Sequence, residues 1–422
     1  MREPFTQLLK GATVLPTCFF LLSFFNLLQT QTPDFSQVGF STLNGGTKGG
    51  EGGETVMVTT YAQLKSYAES ATTYIIKVQG TITNGSAGGQ LRVASNKSII
   101  GVGGTALLSG VGIDISSKNN IILQNLKITL VGTSSPKDVN GGDCIGISGT
   151  SKNIWIDHCE MYSEDPSAQT NIDKYDGLLD IKGQTGFITI SWCYWHDHHK
   201  GGLVGAADDD LYDDRKVTLH HNYYNKVKLR IPMYRGSVGH FFNNYIKDSD
   251  KASEIRANTC VRIEKNYYEN FSEFAIYTTS DSPGKTERID NYLSKTQSRA
   301  YPANCTAIIP YTYSNVLTTT TTDVKTIVPK YAGVGKIADV TTDLDETEED
   351  FQLACFPNPF KEQLNVYVKG SFHFRLLSVS GVAIEEGTGT DKVEVTNTYP
   401  KGIYLLKIQQ GGKSKMFKVV KE

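Results

Sequence analysis

Six short segments of the chain share one pattern: an apolar residue, two variable positions, then Asn or Cys, often followed by an aromatic residue. They are Ile122–Asn125, Ile156–Cys159, Ile190–Cys193, Leu219–Asn222, Phe241–Asn244 and Ile263–Asn266. Their last residues are separated by 34, 34, 29, 22 and 22 positions. A basic period near 22 residues, lengthened in some turns, is the signature of a solenoid. One such turn is too short to bury an apolar face alone, so successive turns must stack and share a core. An Asn recurring at one corner can bond the backbone amides of its neighbours and stack into a ladder, satisfying polar groups that stacking buries. These features predict an all-β chain built on a right-handed parallel β-helix.

Composition agrees. Of 422 residues, 40 are Gly, 22 Tyr and 18 Phe, which suits strands and turns better than a helical bundle. The formal net charge of −2 offers no bulk attraction to nucleic acid or anionic lipid, so an acidic polymer could bind only through a local basic patch. Residues 1–30 read as an export signal: Arg2 and Lys10 precede an apolar run from Val14 to Leu28, interrupted by Pro16, Ser23 and Asn26 and too short for a stable membrane span. Residues 31–338 form the solenoid, residues 339–350 an acidic linker poor in core residues, and residues 351–422 a small β-sandwich of short alternating strands. The six cysteines beyond Cys18 fit no zinc spacing. Cys159 and Cys193 are expected to be buried, and disulfide pairing stays open.

Insertions into a solenoid collect on one side and often carry its binding face. Counted back from the next anchor, Asp143 lies 16 positions before Cys159, Asp176 and Asp180 lie 17 and 13 before Cys193, and Arg230 lies 14 before Asn244. With turns about 4.8 Å apart, similar offsets place these groups in one short column. Three carboxylates so close are costly without a cation, and oxygen donors with no nearby thiolate point to a hard ion such as Ca²⁺. The tract His196-Asp197-His198-His199 is expected to be packing or solvated rather than a zinc site, Trp155 and His158 to be wall residues, and Asp208, Asp209 and Asp210 to form a solvated loop.

The segments Gly39–Gly53, Asn153–Cys159, Asp176–Gly205 and Val217–Tyr245 resemble polysaccharide lyase family 1, the pectate and pectin lyases. The resemblance implies a pectate lyase that cleaves α-1,4-polygalacturonate by Ca²⁺-assisted β-elimination, leaving 4,5-unsaturated products. It implies Ca²⁺ ligands at Asp143, Asp176 and Asp180, substrate-carboxylate binding by Lys200 and Arg235, and Arg230 as the base. Guanidinium is ordinarily protonated, so this last role rests on the resemblance alone and implies activity rising toward alkaline pH. The chain departs from the family pattern at Gly141, where many relatives carry a further Asp, and Asp138 is the nearest substitute. A pectin lyase acting without metal on methylated pectin, or a non-catalytic polyuronate-binding β-helix, are the alternatives. The first should have lost Asp176 and Asp180; the second should have lost Lys200, Arg230 or Arg235.

Phe356–Val368, Leu376–Gly387, Lys401–Gly412 and Lys415–Glu422 resemble the sorting domain of type IX secretion. That resemblance implies handling by the type IX secretion machinery, export to the medium or cell surface, and removal of the module. The expected partners are thus a polygalacturonate chain and the export machinery, with no nucleic acid, and the expected state is a monomer.

Overall fold

The computed structural model describes residues 33–84, 89–132, 142–337, 353–378, 383–396, 400–410 and 413–422. The export signal, the acidic linker, Asp138 and Gly141 lie outside the described residues. The chain divides into two compact units, residues 1–340 and 341–422.

In the first unit three parallel sheets of 11, 9 and 8 strands run side by side along the stack, each adding one strand per turn in chain order. This is the parallel β-helix. Inward residues form a continuous core in which Ile113, Ile145, Leu179 and Val204 on one wall face Ile121, Ile154, Ile188 and Val217 on another. The helix Tyr61–Glu69 packs Leu64 and Ala68 over the first turns. A second helix, Thr321–Tyr331, is closed at its N-terminus by reciprocal bonds between Thr320 and Asp323, and lays Val324 and Val328 on Tyr245 and Tyr267. A disulfide joins Cys260 to Cys305 near the last turns, whereas Cys144, Cys159 and Cys193 are free and buried.

The ladder is present. Asn244 Oδ1 accepts from both the backbone N and Nδ2 of Asn222 at 3.0 Å, and Asn266 Oδ1 does the same for Asn244 at 2.9 Å. It extends one turn past the sequence pattern, to Asn291, which accepts from Asn266 N at 3.0 Å. Cys159 and Cys193 hold the same position in earlier turns and donate their thiols to the carbonyls of Leu123 and Ile156. The first anchor differs from expectation. Strand pairing sets Lys127 opposite Glu160, which puts Leu126 in the ladder column and Asn125 one step earlier, opposite His158. Asn125 and His158 both take left-handed backbone, with φ of 58° and 49°. Asn suits such a corner as well as it suits a ladder, so the local pattern could not separate the two.

The C-terminal unit is antiparallel throughout its five-stranded sheet. One long strand, Gln363–Ser378, pairs along one edge with Ala383–Thr396. Its other edge is shared between Leu353–Phe356 and Gly402–Gln410. A register shift between Val368 and Ser371 bends it, so that the sheet folds over a core containing Phe360, Leu364, Val366, Phe372, Phe374 and Leu406.

Replacing Asn244 by Ala removes the acceptor of two Asn222 donors and the donor to Leu219 O, all buried. Unfolding in denaturant should show a loss of about 3 kcal/mol, since buried polar groups left unpaired cost about 1–3 kcal/mol each.

Candidate active site

Strands Ile145–Ser148, Leu179–Ile181, Leu203–Val204 and Met233–Tyr234 lie in consecutive order in the eight-stranded sheet. Asp180 lies on the second of these strands, and the other acidic and basic residues singled out in the sequence lie just before or after them. Asp143 precedes the first, and its side chain is buried. Its Oδ1 accepts from Gly177 N at 3.0 Å, while its Oδ2 is buried with no hydrogen bond. Asp180, one turn on, accepts from Leu203 N at 3.0 Å. The acids do not stack in the one column that their similar offsets predict. Asp180 lies opposite Gly146, and Asp143 bonds Gly177. A Cβ at Gly177 would come within 2.4 Å of the Asp180 carboxylate, so glycine there makes room for the two acids to lean together.

Burial, then the neighbouring charge of Asp180, pushes Asp143 well above the usual carboxylate range, and Asp176 adds to the push. The sequence reading missed the group that opposes this. Lys182 Nζ sits 2.8 Å from Asp180 Oδ2 and 3.7 Å from Asp143 Oδ2. The signal was available, because Lys182 stands two residues after Asp180 at the end of a strand, where alternation returns side chains to the same face.

Asp176 is half-buried, and its carboxylate lies 3.7 Å from the ammonium of Lys200. Lys200 also donates to Asp173 at 3.0 Å. The histidine tract holds the loop that carries these acids. His198 Nε2 bonds the carbonyl of Asp176 at 2.6 Å, and its Nδ1 lies 3.0 Å from Ser163 Oγ. Since the carbonyl can only accept, Nε2 carries the proton and Ser163 donates to Nδ1. His199 bonds the carbonyl of Gln169 at 2.6 Å, and His196 stacks between Tyr162 and Tyr194. His158 is buried, and Trp155 donates to Ser191, so both are wall residues.

Arg230 follows the strand Tyr223–Leu229 at a corner with φ of 61°, and its carbonyl accepts from Gly202 N. It makes no ion pair among the described residues, and its Nε is buried without a hydrogen-bond partner. Arg235 is buried and engaged: its Nε donates to Asp208 at 2.5 Å and its Nη1 to Gly205 O at 3.0 Å. The acidic loop is therefore not simply solvated. Asp208 also receives two bonds from Arg256, at 3.0 and 2.6 Å, which hold its carboxyl well below the usual range. Asp210 pairs with the fully buried Arg215 at 2.6 Å, and Asp209 alone of the three is exposed. Arg235 and Arg256, 27 and 48 residues away in sequence, reach Asp208 from later turns, while Arg215 folds back on Asp210 from within the same loop.

No three acidic, His or Cys side chains among the described residues stand close enough together to enclose a metal ion as they are placed. The donor set nevertheless fits a hard cation. It consists of carboxylate oxygens, one of them buried and unbonded, and the nearest thiol, Cys144, is turned away to Ile128 O.

Comparison with known proteins assigns the family. A family model described as pectate lyase matches residues 10–337. The chain belongs to the pectate lyase family. It is 41% identical to a pectate trisaccharide-lyase of Bacillus licheniformis over 314 residues, 72% of this chain and 88% of that protein. It is 34% identical to pectate lyase A of Aspergillus niger over 279 residues, covering 65% and 81% of the two chains. Among solved structures, a pectate lyase from Bacillus sp. N165 in complex with trigalacturonate superposes with a TM-score of 0.64 at 33% identity, covering 72% of this chain and all of that one. Residues 354–422 match a secretion-system C-terminal sorting domain. The protein is thus a polysaccharide lyase of this family, and it is secreted or displayed at the cell surface. No helix among the described residues is long and apolar enough to cross a membrane.

Buried histidines should make this lyase acid-sensitive. Burial lowers His198 to about 4 and His220 to about 3, and lowers His221 and His240 as well. Their neutral forms favour the fold above the unfolded value of 6.5, and that contribution is lost as pH falls toward the folded values. Calorimetry should find a melting temperature that is steady near neutrality and falls between pH 6.5 and 4.5, before most carboxylates titrate. A flat profile across that window would show that the histidines contribute nothing.

Proposed function

We propose that the protein cleaves polygalacturonate by β-elimination, with Ca²⁺ held by Asp143, Asp176 and Asp180, Arg230 as the base, and Lys200 and Arg235 binding substrate carboxylates. The observation that carries this reading is the placement of opposite charges along one sheet, three strands apart. A buried carboxylate with one unbonded oxygen lies on one side, and an arginine without an ion pair among the described residues lies at the corner of a nearby turn.

The hydrogen at C5 of a galacturonate unit is poorly acidic, because removing it adds charge beside the C6 carboxylate. Ca²⁺, when bound, supplies positive charge that neutralises the substrate carboxylate and favours loss of that proton. The chain's own residues do the rest. Lys200 orients a second carboxylate after exchanging Asp173 for it, and Arg235 offers a planar donor set suited to another once Asp208 yields. Arg230 accepts the C5 proton, the electron pair forms the C4–C5 double bond, and the C4–oxygen bond to the neighbouring sugar breaks. The departing oxygen takes a proton from solvent. Arg230 makes no ion pair among the described residues, so its guanidinium is not committed to a carboxylate of the chain.

Ultraviolet absorbance of unsaturated product, followed on polygalacturonate and on methylated pectin with and without chelator, tests the reading. Product should form from polygalacturonate, be lost with chelator and return with added Ca²⁺. Chelator-resistant cleavage of methylated pectin would replace it with a pectin lyase, and no product on either substrate would leave a binding protein. Arg230→Lys should lower kcat by about a hundredfold or more, with KM little changed, as expected for a general base.

A further inference from the structure

We propose that Lys182 is a built-in counter-ion of the acidic site: it holds Asp143 and Asp180 together when no metal is bound, and it weakens the grip of that site on divalent cations. The inference rests on the Ca²⁺ site proposed above and assigns a positioning residue to it. Each aspartate turns one oxygen to a backbone amide, Asp143 Oδ1 to Gly177 N and Asp180 Oδ1 to Leu203 N, both at 3.0 Å. The remaining oxygens, Asp143 Oδ2 and Asp180 Oδ2, both face the Lys182 ammonium, at 3.7 and 2.8 Å. Exposure decides how much this matters. The side chains of Asp143, Asp180 and Lys182 are 1%, 4% and 17% exposed, so solvent screens their charges little. Two buried carboxylates on adjacent turns would otherwise repel one another, and one would take up a proton or turn away. The ammonium facing both oxygens offsets part of that repulsion, and it stands at the end of the strand that carries Asp180, so it is in place before any ion arrives.

The same charge opposes the ion. A divalent cation drawn to the Oδ2 atoms must share them with the ammonium or push it aside, and either way it binds less tightly than to the bare acids. A lyase assembled around this lysine gives up cation affinity and gains a site that does not depend on the cation for its shape.

Ca²⁺ binding, followed by calorimetry on the full chain without substrate, tests the proposal together with melting temperature in chelator. Lys182→Met keeps the side-chain stem and removes the charge. It should bind Ca²⁺ at least tenfold more tightly than wild type, melt earlier in chelator, and gain more on adding Ca²⁺. Lys182→Arg keeps the charge and should stay near wild type in all three measurements. A Met variant that binds Ca²⁺ no more tightly, or melts normally in chelator, would overturn the role. So would an Arg variant that behaves like Met, because volume rather than charge would then be responsible. Should Lys182→Met prove hard to recover, Lys182→Gln carries the same expectations. Wild-type protein that takes up no Ca²⁺ would fail the proposed metal site itself, while the effect of Lys182 in chelator would remain measurable.

Discussion

Every turn of the coil ends in a corner that buries backbone amides, and the asparagine ladder that pairs them sets the register on which everything else depends. The side-chain oxygens of Asn244, Asn266 and Asn291 each accept from the backbone N and side-chain amide of the asparagine one turn earlier, linking them back to Asn222. Because side chains alternate along a strand, a slip of one residue would turn each outward group inward. The ladder, with the thiols of Cys159 and Cys193 continuing it, forbids such a slip over the turns that carry the site. The placement of Asp143 beside Gly177, or of Asp180 opposite Gly146, is a consequence of corners on a different wall of the coil.

Within that frame the site is an exercise in burying charge. Acids lean together where glycine leaves space, and each has a cation or an amide within reach. Asp180 meets Lys182, Asp176 meets Lys200, and Asp208 is gripped by Arg235 and Arg256. Breaking one member of such a pair leaves the other uncompensated in a low-dielectric setting, which costs far more than the pair itself contributes. The arrangement therefore favours exchange over vacancy. A carboxylate-bearing chain can replace Asp173 on Lys200 without leaving the ammonium bare, and Asp173, mostly exposed, returns to water at little cost.

The sequence exposed the fold more fully than the site. Anchors recurring at a common spacing gave the solenoid, its period and five of the six ladder positions. Asn125 misled because Asn is favoured both in a left-handed corner and in a ladder, and no single turn can tell these apart. Offsets counted back from the anchors brought Asp143, Asp176 and Asp180 to neighbouring turns of one sheet but not into one column, because insertions absorb unequal lengths. Partners distant in sequence were invisible: nothing near Asp208 announces Arg256, which lies 48 residues away. Lys182 was legible from strand alternation alone, yet a lysine beside acids reads as a solvated pair until burial is known.

The histidine tract shows how the loops that bring chemistry are kept from wandering. A segment running from Ser163 to Asp176 would, if free, lose a large conformational entropy each time it closed on substrate. His198 and His199 remove that cost by bonding carbonyls at Asp176 and Gln169 from a strand that is itself fixed in the nine-stranded sheet. The role of His198 requires a neutral ring in a defined tautomer, and burial favours this by holding it well below its ordinary value. The loop is thereby ordered by the sheet rather than by the ligand. Binding energy from a polymer can then be directed to the reacting sugar instead of to folding the loop around it.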